Sequence, residues 1–137
     1  MIRPEELLSL AARARESAYT PYSGFAVGAA LLTSDGTVYT GCNIENAAFT
    51  PTVCAERVAV FRAVADGKRD FAAIAVVGGK AGESAARCTP CGVCRQVLAE
   101  FCHPEKFTVY LPGENGLPEE HLFSELFPFG FGRSDLG

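Results

Sequence analysis

FAVGAALLT, residues 25–33, is an almost unbroken apolar run closed by Thr33. A strand with one wet face alternates apolar and polar residues, so an unbroken run predicts a strand covered on both faces. Ser34-Asp35-Gly36 follows directly and is turn chemistry, and residues 37–44 then return antiparallel to complete a hairpin. On the N-terminal side lie a turn-rich stretch, Tyr19-Thr-Pro-Tyr-Ser-Gly24, and an amphipathic helix over residues 4–18. That helix has Pro4 in its first turn and Leu7, Leu8, Ala11, Ala14 and Ala18 on one side. Downstream, residues 45–53 read as a loop and residues 54–65 as a helix ended by Asp66-Gly67. Only Glu56, Arg57 and Arg62 interrupt the apolar character of this helix, which predicts burial between layers or between subunits. Residues 71–77 predict a second buried strand, followed by a loose glycine-rich stretch over 78–82. Pro90 starts a helix through residues 91–101, residues 106–111 form a further strand, and residues 119–126 a short helix. The order α-β-β-α-β-α-β-α predicts an α/β fold, one mixed sheet sandwiched between helices, as a single domain over residues 1–137.

The composition narrows the function classes. Of 137 residues, 48% are apolar and 20% charged, the balance of a globular chain that buries a core without disulfide staples. The net charge of −4 argues against a sequence-blind grip on polynucleotide phosphates. No run is long and apolar enough to cross a bilayer, and the charged, helix-patterned N-terminus has no signal-peptide core. The six cysteines therefore read as thiols kept reduced in the cytoplasm for metal binding or catalysis, not as a disulfide framework.

Three of them crowd into Cys88-Thr-Pro-Cys91-Gly-Val-Cys94. Two segments, Cys54-Ala55-Glu56 and Pro90-Cys91-Gly92-Val93-Cys94, both sit at predicted helix starts, where backbone N–H groups and the helix dipole favour thiolates. A Cys-x-x-Cys turn puts two sulfurs within reach of one ion, and a third from the other helix start makes three soft ligands for zinc. Three protein ligands leave a position for water, which is the catalytic arrangement; Glu56 stands two residues beyond Cys54, free to handle protons. A structural site with Cys42, Cys88 or Cys102 as fourth ligand is the rival reading, although these three read more simply as small buried residues. An iron–sulfur reading fails because position 98 is Leu98.

These two segments resemble the three-cysteine signature of the zinc nucleoside and nucleobase deaminases. Tyr22-Ser-Gly-Phe25-Ala-Val-Gly-Ala-Ala30, Cys42-Asn-Ile-Glu-Asn-Ala47, Cys91-Gly-Val-Cys-Arg-Gln96 and the tail ending Phe131-Gly-Arg-Ser-Asp-Leu136 are similar to the short, homotetrameric cytidine deaminases, across essentially the whole chain. The resemblance implies a three-layer α/β/α sandwich and one zinc per subunit on Cys54, Cys91 and Cys94. It also implies hydrolysis at C4 of cytidine and 2′-deoxycytidine, with Glu56 passing protons to N3 and then to the departing amine. Three thiolates on a dication leave a net −1, and Arg57 and Arg95 are the expected counterweights. The Asn43-x-Glu45 pair, with Asn46 following and Tyr22 nearby, is implied at the ribose hydroxyls; a carboxylate there repels a phosphate and favours nucleosides. Phe25 is implied against the base, and the backbone of Ala55 at its amide edge. Ala47, Phe49 and Phe131 are implied to complete the site of a neighbouring subunit in the homotetramer. Phe49 stands where most members carry Tyr, and Thr50-Pro51 where Gly-Leu is commoner. A blasticidin-S-type deaminase is the nearest enzyme alternative, a polynucleotide editor a second, and a non-catalytic structural zinc module the alternative from another class.

Overall fold

The computed structural model describes residues 2–137. Helix α1 (Pro4–Arg15) leads into strand β1 (Phe25–Thr33) and its hairpin partner β2 (Val38–Cys42). Helix α2 (Ala55–Ala65), strand β3 (Phe71–Lys80), the short β4 (Ala86–Arg87), helix α3 (Gly92–Ala99), β5 (Thr108–Pro112), β6 (Pro118–Leu122) and the one-turn α4 (Phe123–Leu126) follow. The sheet order is β2-β1-β3-β5-β6, with β4 paired to β3. It is mixed: β3 and β5 run parallel and the other pairs antiparallel. No helix among the described residues is long and apolar enough to cross a membrane.

The sandwich follows from two cores on opposite faces of that sheet. On one, Leu7 and Ala11 of α1 pack on Ala30, Leu32, Ala73, Ala75 and Val77. On the other, Ala59, Val60 and Ala63 of α2 and Leu98 of α3 pack on Leu31, Ile74, Val76 and Val109. Two glycines set the contact distance of the helices. A Cβ on Gly28 would meet the Ala11 carbonyl at 2.0 Å, and one on Gly41 the Ala55 carbonyl at 2.4 Å. Helix α1 on one face and the start of α2 on the other therefore touch the hairpin backbone itself.

Two expectations change. Residues 119–126 are not one helix: Pro118–Leu122 pairs with β5 as an edge strand before the turn of α4. An outer strand of polar residues (PEEHL) carries little apolar alternation, so its pairing is invisible to periodicity. The stretch 78–80 is not loose; β3 runs on to Lys80, with Gly78 and Gly79 paired to Val27 and Ala26. Helix α2 buries Ala55, Glu56, Ala59, Val60 and Ala63 within the chain and leaves Phe61 50% exposed on its outer side.

Candidate active site

Both cysteine segments are delivered by strands. Ile44 and Val53 exchange backbone hydrogen bonds at 3.0 Å in each direction, closing the loop between them and setting Cys54 at the start of α2. Cys54 is the N-cap of α2 and Cys91 the N-cap of α3, both with extended backbone. Their carbonyls accept the first helical hydrogen bonds, from Val58 at 3.1 Å and Arg95 at 2.9 Å. Cys94 follows in the first turn of α3 and is buried. All three sulfurs therefore belong to helix starts, where the positive end of the helix dipole favours thiolates.

The three sulfurs come together. Cys54 Sγ lies 3.7 Å from Cys91 Sγ, Cys91 Sγ 3.4 Å from Cys94 Sγ, and all three within 4.8 Å of one another. Tetrahedral ligands about 2.3 Å from zinc stand roughly 3.8 Å apart, so the trio fits that ion. It is the one such group of His, Cys, Asp and Glu among the described residues. Cys42, Cys88 and Cys102 stand outside it, which removes the four-cysteine structural site. Arg57 Nη2 donates to Cys54 Sγ at 3.4 Å, while its buried Nε finds no protein partner among the described residues. The Cys94 thiol and the Arg57 guanidinium hold the Cys54 thiol down to about 5. Glu56 is 3% exposed, and burial pushes its carboxyl up to about 7.

Arg95 does not join the sulfurs. Its Nε donates to the Pro90 carbonyl at 2.7 Å and its Nη1 to the Leu126 carbonyl at 2.5 Å, so these bonds fix the loop that carries Cys91.

Beside the trio is a hollow of about 320 Å³ lined by Phe25, Asn43, Cys54, Glu56, Cys91 and, unforeseen, Cys88, with Ser23, Val27, Thr52, Val53 and Thr89. An adjoining hollow of about 330 Å³ shares Ser23 and Thr52 and adds Tyr22, Glu45 and Phe49. Asn43 Oδ1 accepts from Val27 N at 2.8 Å and its Nδ2 donates to the Phe25 carbonyl at 2.9 Å. Glu45 Oε1 accepts from Tyr22 N at 2.9 Å and Ser23 N at 3.1 Å, and Oε2 from the Ser23 hydroxyl. These bonds hold the Glu45 carboxyl below its usual range, the Ser23 hydroxyl most of all. Ser23 was missed because a serine in a turn-rich stretch reads as turn chemistry alone. Ala55 is buried under β2, and Asn46 and Ala47 are exposed on the loop. Phe49 is 68% exposed at φ +62° with its ring edge-on to Tyr22. Phe131 lies over α3 of its own chain, away from both hollows, its carbonyl accepting from Gln96 Nε2 at 2.8 Å.

A family model described as the cytidine and deoxycytidylate deaminase zinc-binding region matches residues 1–111. The chain belongs to that family. Among its relatives, a cytidine deaminase of Sporosarcina psychrophila is 52% identical over 132 residues, 96% of this chain and 93% of the relative. One of Halalkalibacterium halodurans is 49% identical over 130 residues, 95% of each. The crystal structure of a cytidine deaminase from Burkholderia pseudomallei superposes with a TM-score of 0.83 at 45% identity, covering 95% of this chain and 100% of the other. The deaminase fold is thus the mixed sheet described above, and its sulfur trio is a site for one zinc ion per chain.

Proposed function

We propose that this deaminase hydrolyses free cytidine and 2′-deoxycytidine to the uridines and ammonia, as a cytoplasmic homotetramer with sites shared between subunits. One observation carries the chemistry: Glu56 is the single carboxylate on the wall of the 320 Å³ hollow that also exposes Cys54 and Cys91. When bound, zinc acidifies water toward a pKa of about 7 and supplies the nucleophile at neutral pH. Glu56 takes the proton that this water gives up and hands it to N3 of the base. With the C4–O bond formed, Glu56 moves the proton of the new C4 hydroxyl to the amine nitrogen, and ammonia leaves as the C4–N bond breaks and the C4–O bond becomes a carbonyl. Arg57 offsets the excess negative charge of three thiolates.

Phe25 packs on the base and the Ala55 backbone meets its amide edge. Asn43 and Glu45, flanked by Tyr22 and Asn46, form the sugar end. A carboxylate has about four acceptor positions. Glu45 accepts three hydrogen bonds from Tyr22 and Ser23, which leaves one for a ribose hydroxyl. Its charge disfavours a phosphate, so nucleosides are preferred to nucleotides. Ala47, Phe49 and Phe131 complete a neighbour's site; the exposed rings of Phe49 and Phe131 support that arrangement. Cysteine ligands that must stay reduced support a cytoplasmic location.

The test follows loss of cytosine absorbance on free cytidine. Glu56→Gln keeps zinc and fold but loses turnover by about 10²–10⁴, the size of a general acid–base contribution. Near-normal turnover in a zinc-replete Glu56→Gln chain overturns the assignment.

A further inference from the structure

Cys88 stands outside the metal trio yet lines the hollow beside it. It follows β4, whose Arg87 is tied to Glu119 of β6 at 2.9 Å, so the segment is anchored from behind. Its side chain rests directly on β3. A Cβ on Gly78 would lie 2.7 Å from Cys88 Cβ, 3.0 Å from its Sγ and 3.2 Å from Phe25 Cε2. The backbone of Gly78, the Cys88 thiol and the Phe25 ring therefore meet with no room to recede. Burial pushes the Cys88 thiol up to about 11, so this surface is uncharged at neutral pH.

Resting on the reading of this hollow as a base pocket, we propose that Cys88 determines which cytosine rings are accepted, as a size gate on the C5–C6 edge. With C4 at the sulfur trio and N3 at Glu56, the ring's remaining polar atom is the C2 carbonyl, and N1 must direct the sugar outward. The C5–C6 edge bears only hydrogen. The wall of Phe25, Val27 and Cys88 offers no strong donor or acceptor side chain. Burying the carbonyl against that wall would leave it unpaired at a cost the C–H edge does not incur. A substituent at C5 then meets a thiol backed by strand backbone, and the pocket cannot widen for it.

The experiment uses zinc-loaded enzyme and measures kcat/KM for cytidine and 5-methylcytidine in the parent, Cys88→Ala, Cys88→Val and Cys88→Ser, with zinc content and Tm for each. The ratio of the two substrates cancels any loss of folded protein. Cys88→Ala raises the 5-methylcytidine to cytidine ratio about tenfold, the usual discrimination for one methyl group in a tight pocket. Cys88→Val lowers it by a similar factor, and Cys88→Ser, whose oxygen is smaller than the sulfur it replaces, raises it by no more than Cys88→Ala does. A ratio unmoved in both Ala and Val variants, or moved in the same direction by both, overturns the gate. If the Ala variant does not fold, the Val ratio decides alone, and an unchanged value overturns it. A parent inactive on cytidine overturns the base-pocket reading itself, whereas an active parent with an unresponsive ratio overturns the gate alone.

Discussion

Arg57 is three residues from Cys54, one turn further along α2, so its guanidinium returns to the sulfur at the helix start. That relation is readable from spacing, because both residues share one regular element. Arg57→Gln removes the charge that offsets the thiolates, and zinc affinity falls by about 10–100-fold, the range for partners of metal ligands. Competition with a chromogenic chelator measures it; unchanged affinity would show that the 3.4 Å contact carries no weight. Arg95 sits equally near its cysteines in sequence but reaches the Leu126 carbonyl instead. Nothing local distinguishes the two arginines, because the target of Arg95 arrives only when the C-terminal segment packs against α3. The place of Cys88 on the hollow was not legible for a similar reason: it depends on β4 pairing with β3, and a two-residue strand leaves no periodic trace.

The β1–β2 hairpin is closed by a hydrogen-bond cluster on Asp35. Its carboxylate accepts from the Thr33 hydroxyl at 2.5 Å, the Thr37 hydroxyl at 2.9 Å and Lys68 Nζ at 2.6 Å. Lys68 first, then the two threonines, hold the Asp35 carboxyl well below its usual range. A carboxylate with a depressed folded-state pKa contributes stability that is fully present above the unfolded value, about 3.9, and is lost as pH falls through the folded value. Asp35→Asn therefore lowers Tm at neutral pH, and the gap to the parent closes progressively below about pH 4. Thermal melts across pH 2–8 decide it, and a pH-independent gap would mean the carboxylate charge is not what holds the turn. The turn itself was legible, since Ser34-Asp35-Gly36 between two apolar runs admits few other conformations. The long strands and the helices were legible for the same reason: each carries its period in its own residues. Strand β6 was not, because its identity lies in its partner β5.

Phe49, Phe61 and Phe131 are each at least half exposed. Phe131→Ala weakens substrate binding without loss of zinc if the tail completes a neighbour's site. Mixing that chain with Glu56→Gln creates sites holding an intact Glu56 from one chain and an intact Phe131 from another. Substrate affinity recovers at such sites in verified mixed tetramers, and absence of recovery would assign each site to one chain. A sequence cannot display a site shared between chains, because exposed and interfacial aromatics share the same letters until neighbours are present. The metal trio, by contrast, joins positions as much as 40 residues apart, with β3 running between them. A slip of one residue in the pairing of β3 would turn its inward side chains outward and part the two helix starts. Ion loading is thereby an inspection of the finished chain: only a correctly threaded molecule presents three sulfurs at once, and a mis-threaded one is marked by its empty hands.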